Sequence, residues 1–280
     1  MGGASAAARD EAGEYLWEPL TWDTGRLRAQ ARLFEPLTER FLLEAGLRPG
    51  MTVLDAAAGH GDVTLVAARI VGPQGRVVAL ERTEAALWAI RSRAREEGLL
   101  HVHVAQGDFL TDRLATAFDA IVGRQALLNV AEVPAALWRL ASQLKPGGVL
   151  ALQELDFGAA RSIPSSPTFD DALSWVTRTL AKGGAHPRLG LELRRHFLDA
   201  GLPEPTLRID ESLGGTPDYL GYDLLAEWVQ GLAPGMKALG VARPEQVDAP
   251  SLARRLREEV CAYGGVLVLP SLVGAWARPP

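Results

Sequence analysis

Between Met51 and about Leu155, short apolar runs alternate with stretches of helical spacing, and this alternation constrains the fold more than any other feature. "MTVLDA" reads as a strand, and Asp62 to Ile70 as a helix closed by Gly72 and Pro73. "GRVVALE" is a second strand, followed by a helix from Glu84 to Glu97 that ends at Gly98. "HVHVAQ" and "FDAIVG" are the third and fourth strands. A helix from Val133 to about Leu144 stops at "KPGG", and "VLALQEL" is the fifth strand. The strands are too apolar for a sheet with one wet face. Strand–helix alternation of this kind specifies a parallel, doubly wound α/β sheet with helices on both faces. Ligands of such sheets bind beyond the carboxyl ends of the strands.

The flanks are less regular. Gly25 to Ala45 reads as a long helix, preceded by the aromatic stretch "YLWEPLTW" (Tyr15 to Trp22). After Asp156, "RSIPSSPTF" reads as a loop, Asp170 to Ala181 as a helix, "KGGAHP" as a loop and Leu189 to Ala200 as a helix. "TLRIDES" reads as a strand. Pro217 to Tyr263 has helical spacing with expected breaks at "APG" and "RPEQ", and "VLVLPSLVGAWAR" is expected to return as one strand. A net charge of −5 argues against nucleic acid or an anionic membrane as the main partner. The basic run Arg91–Arg95 reads as a solvated helix face. The single cysteine, Cys261, excludes an internal disulfide and a multi-cysteine metal site, and no metal is expected. The first residues lack the apolar core of a signal peptide, and no apolar run approaches the roughly eighteen residues of a membrane span. A cytoplasmic protein is expected.

The strand ends carry the chemistry. Asp55 closes the first strand, Glu81 the second, Asp108 follows the third and Arg124 the fourth. A triphosphate-binding loop requires a lysine after the glycines, and none follows Gly61. A dinucleotide loop requires a third glycine, where Thr64 stands, and Asp55 would repel a pyrophosphate. S-adenosylmethionine carries no phosphate. Its ammonium suits Asp55, its ribose diol suits Glu81 and its adenine amino group suits Asp108. Gly59 and Gly61 let backbone approach a ligand closely, with His60 presenting its backbone between them. A dinucleotide-dependent oxidoreductase is disfavoured by the glycine spacing. A protein that holds S-adenosylmethionine as a scaffold or for a non-methylating reaction stays open.

"VLDAAAGHGDVT" (Val53 to Thr64) resembles motif I of class I S-adenosylmethionine-dependent methyltransferases of the ubiquinone/menaquinone C-methyltransferase type, which runs roughly Val-Leu-Asp-x-Ala-Gly-Gly-Thr-Gly-Asp. Ala57 matches that motif, whereas Ala58 and His60 depart from it. The stretch from Phe118 to Asp156, with "Leu-x-Asn-Val" and "Leu-Lys-Pro-Gly-Gly", is similar to the same family. The resemblance covers about Leu47 to Asp156. It implies a Rossmann-like seven-stranded sheet whose last strand, antiparallel, falls at about Leu272–Arg278. Ahead of it, residues 1–46 read as an N-terminal tail, lid and helix, the lid from the density of apolar side chains in Tyr15–Trp22. The methyltransferase domain is expected to occupy 47–280; the helical stretch Pro217–Tyr263 is not in the quinone enzymes, and acceptor-binding insertions are expected from position at about 157–187 and 215–264. The cofactor set becomes Asp55, Ala57, Gly59, His60, Gly61, Glu81, Arg82, Gly107, Asp108, Phe109 and Arg124, and the product is S-adenosylhomocysteine.

The acceptor side is thinner. The methyl on a sulfonium needs no further activation, so the protein has to align a nucleophile and exclude water. An oxygen acceptor usually needs a base, whereas an activated carbon or an amine needs mainly orientation. His186, in "KGGAHP", is the histidine entertained as a base. Glu154 and Asp156, at the end of the fifth strand, are the carboxylates entertained beside it, although either also suits a cap. His101, His103 and His196 read as packing. Trp17 and Trp22 are candidates to close over the cofactor. Trp17, Gln125, Trp175 and Tyr222 are candidates to touch substrate, with core packing the plainer reading for the last two. No Asn/Asp-Pro-Pro-Tyr run follows the fourth strand, which, as the resemblance implies, argues against adenine-N6 or glutamine-N5 acceptors. The expected partner is a small molecule acceptor methylated on O, C or N, and a homodimer is left open.

Overall fold

The computed structural model describes residues 24–243 and 247–280. Trp17, Trp22 and the rest of the aromatic stretch lie outside the described residues. Helix α1 (Thr24–Ala45) leads to β1 (Thr52–Ala56), α2 (Asp62–Val71), β2 (Arg76–Glu81), α3 (Glu84–Glu96) and β3 (Val102–Gln106). Then come β4 (Phe118–Arg124), α4 (Val133–Ala141), β5 (Leu144–Asp156), β6 (Arg161–Ile163), α5 (Pro167–Lys182), α6 (Leu189–Asp199), β7 (Thr206–Asp210) and β8 (Leu213–Gly214). The chain ends with α7 (Gly221–Ala238), α8 (Ala249–Ala262), β9 (Val266–Val268) and β10 (Ser271–Ala277). Among the described residues no helix is long and apolar enough to cross a membrane.

The main sheet has seven strands in the order β3-β2-β1-β4-β5-β10-β7. β10 runs antiparallel to both β5 and β7, and the pairs from β3 through β5 are parallel. This is the doubly wound sheet read from the alternation, with the antiparallel strand at the expected place. Each central strand is apolar on both faces because both are covered. Val53, Val77, Ala120, Val122 and Ala151 pack with Phe41 and Leu42 of α1 and Val66 and Ala67 of α2. Leu54, Ile121, Leu150, Leu152 and Val273 pack on the other face with Leu137 of α4 and Leu189, Leu193 and Phe197 of α6. Each such fully buried leucine or phenylalanine contributes about 1.5–3 kcal/mol.

Outside the alternating core the structure corrects several expectations. α7 runs through "APG" without a break, with Pro234 inside it. A proline costs a helix one hydrogen bond, but Leu232 and Met236 on either side are buried in an apolar cluster that holds the helix together. "VLVLPSLVGAWAR" is two strands, because Pro270 has no N–H to continue a ladder and the chain changes sheets there. β9 joins a separate three-stranded sheet, β6-β9-β8, whereas β10 enters the main one. That small sheet was not foreseen. It turns the start of "RSIPSSPTF" from loop into β6 and ends the "TLRIDES" strand at Asp210. β5 begins earlier than expected, at Leu144, and α4 stops at Ala141. Cys261 is half-buried and donates its thiol to the carbonyl of Gly215 at 3.3 Å.

α5, α7 and α8 build a second apolar cluster from Phe169, Val176, Leu225, Val229, Leu252 and Leu256. It is continuous with Leu155 and Phe157 at the end of β5 and with Leu272 of β10, so the helical cap grows directly out of the sheet.

Candidate functional site

The carboxyl ends of β1, β2, β3 and β4 open onto a shallow cleft of about 140 Å³ that is open to solvent. Four connected features shape it.

The turn after β1 comes first. Ala57 adopts a left-handed conformation with φ 57°, and Gly59 and Gly61 have φ 54° and 89°. Those values favour glycine at both later positions. A Cβ built on Gly59 meets nothing within 4 Å, so the turn presents bare backbone to open space. Glu81, at the end of β2, holds the turn: its Oε2 accepts from the Gly59 N–H at 3.0 Å and its Oε1 from the Arg82 N–H at 2.7 Å. A carboxylate has about four acceptor positions, which leaves others facing the cleft.

Behind the turn, Asp55 is 1 % exposed and accepts from the Thr64 hydroxyl at 2.5 Å. Its Oδ1 is buried without a hydrogen-bond partner. Burial pushes the Asp55 carboxyl up to about 7, against the opposing pull of Thr64 and Arg124. Arg124 does not reach the cleft. Its guanidinium is buried, donates to Asp62 Oδ2 at 3.1 Å and to Thr38 Oγ1 at 3.0 Å, and lies over the Phe34 ring. Asp62 also accepts from Arg93 at 2.8 Å, and Arg93 donates to the carbonyl of His60 at 2.6 Å. Asp62 thus ties the glycine turn to α1, α3 and β4. Burial holds His60 below the ordinary histidine range.

On the third side, Gly107, Asp108 and Phe109 line the cleft after β3. Asp108 Oδ1 caps the next turn by accepting from the Leu110 N–H at 2.9 Å, and its Oδ2 lies 3.9 Å from Arg82. On the fourth, Gln125, Ala126, Asn129 and Val130 line it after β4. Gln125 is left-handed, with φ 57°.

Of the residues named from sequence, the cleft brings together Ala57, Glu81, Arg82, Gly107, Asp108, Phe109 and Gln125. Asp55, His60, Gly61 and Arg124 sit behind or beneath it. Leu80, Leu110, Ala126, Asn129 and Val130 also line the cleft and were not named. For Asn129 and Val130 the signal was present, in the "Leu-x-Asn-Val" stretch.

Of the acceptor-side candidates among the described residues, Gln125 lines this cleft and the others do not. Glu154 is fully buried and accepts from the Leu127 N–H at 2.8 Å, and burial pushes its carboxyl up to about 8. Asp156 is fully buried, accepts from the Gly158 N–H at 2.9 Å and lies 3.8 Å from Arg188, so the cap reading is the one realised. His186 places Nε2 3.2 Å from the carbonyl of Val130. Trp175 packs at the margin of the cap cluster, and Tyr222 is buried in it against Tyr219. Tyr222 therefore has no surface for a ligand to touch.

The site suits a cationic nucleoside: two carboxylates face the cleft, a third lies buried behind the turn with an oxygen unpartnered, and the turn leaves backbone open. Comparison with known proteins agrees. Residues 47–182 match a family described as "Methyltransferase domain". Over 121 residues the chain is 36% identical to the ubiquinone/menaquinone biosynthesis C-methyltransferase UbiE of Shewanella halifaxensis, covering 41% of this chain and 47% of that protein. It is 34% identical over 165 residues to nocamycin O-methyltransferase of Saccharothrix syringae, covering 58% of this chain and 59% of that one. The chain thus spans about half the length of these relatives. The solved structure of a geranyl diphosphate methyltransferase in complex with S-adenosylmethionine superposes with a TM-score of 0.54 at 19% identity, covering 98% of this chain and 96% of that one. That likeness concerns the fold, a Rossmann-like seven-stranded sheet with one antiparallel strand. The family resemblance read from motif I is borne out.

Proposed function

We propose that this chain is an S-adenosylmethionine-dependent methyltransferase acting on a small organic molecule. The observation that carries the reading is the cleft itself: Glu81 and Asp108 face it beyond successive strand ends, beside a turn of open backbone. Glu81 would accept from the ribose hydroxyls, Asp108 from the adenine amino group, and Phe109 would cover the base. Asp55, with its unpartnered oxygen, is the counter-charge for the ammonium. When bound, the cofactor supplies a methyl group already activated on a sulfonium. The chain's own task is to hold the acceptor in line and keep water out. The segments 157–187 and 215–264 are the proposed acceptor side, and the protein is proposed to work in the cytoplasm.

Among the described residues, none of the three proposed proton acceptors lines the cleft. That supports an acceptor whose nucleophile needs orientation more than deprotonation, such as an activated carbon or an amine, over an unactivated hydroxyl. The same observation favours, as a second reading, a non-methylating reaction or a scaffold role on this fold.

Calorimetric titration with S-adenosylmethionine and with NAD tests the cofactor, and saturable binding of the former alone is expected. Transfer of a labelled methyl group to pooled small-molecule acceptors tests the activity. Tight binding without transfer to any acceptor would favour the second reading.

A further inference from the structure

The cleft wall after β4 has no helix or strand ladder of its own between Gln125 and Val130. Four hydrogen bonds from outside the segment hold it. From the end of β5, the carbonyl of Gln153 accepts from the Gln125 N–H at 2.8 Å, and Glu154 Oε1 accepts from the Leu127 N–H at 2.8 Å. From the connection between α5 and α6, the His186 N–H donates to the carbonyl of Leu128 at 2.9 Å, and Nε2 lies 3.2 Å from the carbonyl of Val130. A carbonyl only accepts, so Nε2 carries the hydrogen. That nitrogen is committed to the wall.

We infer that Glu154 and His186 are positioning residues that clamp the segment Gln125–Val130 as a wall of the cleft, one from the sheet and the other from the cap. The inference deepens the methyl-transfer reading and rests on it for what the wall touches. It replaces a proton-accepting role for either residue.

The surroundings of Glu154 fit this role. Ala126 and Leu127 face it from the wall, Val273 lies opposite it on β10, and Gly190 of α6 packs against its backbone. Asp156, on the same face of β5, is engaged by Gly158 and Arg188, and no charged group contributes to the state of Glu154. A buried carboxylate with no counter-charge is costly, so Glu154 serves as a neutral acid up to about pH 8. Once it ionises, the N–H groups of Leu127 and Ala126 offset its buried charge only in part, and water drawn in beneath the wall loosens the clamp.

The test combines amide hydrogen exchange across residues 125–130 with calorimetry of S-adenosylmethionine, on the full chain. Glu154→Ala and His186→Phe are expected to speed exchange in this segment and weaken binding, each by about tenfold, as loss of one buried hydrogen bond predicts. Glu154→Gln and His186→Gln keep the shape and the wall-facing oxygen or N–H, and are expected to restore both readouts to within about threefold. Wild-type affinity should fall as pH rises past about 8, and Glu154→Gln should abolish that fall. If Glu154→Ala does not fold, the pH profile of Glu154→Gln decides. A glutamine variant that keeps exchange and affinity but loses turnover would overturn the inference, because the residue would then be handling a proton. Wild type that binds no S-adenosylmethionine would overturn the methyl-transfer reading, whereas the exchange comparison would still judge the clamp.

Discussion

Asp62 is the residue whose importance only the three-dimensional structure shows. In sequence it is the first residue of a helix, a place where any acid is welcome. In the fold it neutralises two guanidinium groups, one of them buried. Asp62→Ala leaves Arg124 without its ionic partner, and about 3 kcal/mol of stability should be lost by urea denaturation. Asp55 and Glu154 give a second prediction. Burial raises both above their ordinary values of 3.8 and 4.5, to about 7 and about 8. The folded chain then holds protons that the unfolded chain releases, so stability should fall as pH rises from about 4 to about 8 and level off above. Glu154→Gln should flatten the upper part of that slope, and a wild-type profile rising over this range would contradict the assignment. Glu81→Ala removes the proposed ribose hydroxyl contacts and also frees the Gly59 N–H, so S-adenosylmethionine affinity should drop at least about tenfold by calorimetry. Asp108 should discriminate against the inosyl analogue, and Asp108→Asn should narrow that gap. The acids at strand ends were legible because their positions follow from where strands stop. Leu80, Leu110 and Ala126 were not, since nothing local marks an apolar residue as facing a cleft and not the core.

At the scale of elements, what could be read from sequence follows the strength of the periodic signal. From β1 to β5 every element was placed, with ends shifted by a few residues, because burial on both faces leaves continuous apolar runs. After Asp156 the local signals mislead. "APG" is a breaker by composition, yet α7 passes through it because its apolar face is buried on both sides of Pro234. Pro234→Ala should restore the missing hydrogen bond and stabilise the chain by about 1 kcal/mol, visible as a raised melting temperature. The strands β6, β8 and β9 span three, two and three residues. Such short pieces carry no period, and only their pairing with one another makes them strands.

For the whole molecule, the consequence is that cap and sheet share one apolar interior. Leu155, Phe157 and Leu272 from the sheet end are buried in the same cluster as Phe169, Leu225 and Leu252 from the cap. Removing 215–264 would uncover that cluster, and a patch of that kind leads to association. The expected outcome is an aggregating chain by light scattering, and not a trimmed domain that still binds cofactor. The order of the strands has a further effect during synthesis. β10 lies between β5 and β7, and its Ser271 pairs with Asp156 of a strand made long before it. While the ribosome is still translating α7 and α8, the nascent chain carries β5 with one open edge and β7 with no neighbour. Such unpaired edges are where chaperones bind and where misassembly starts. The sheet closes only when the last of its strands emerges.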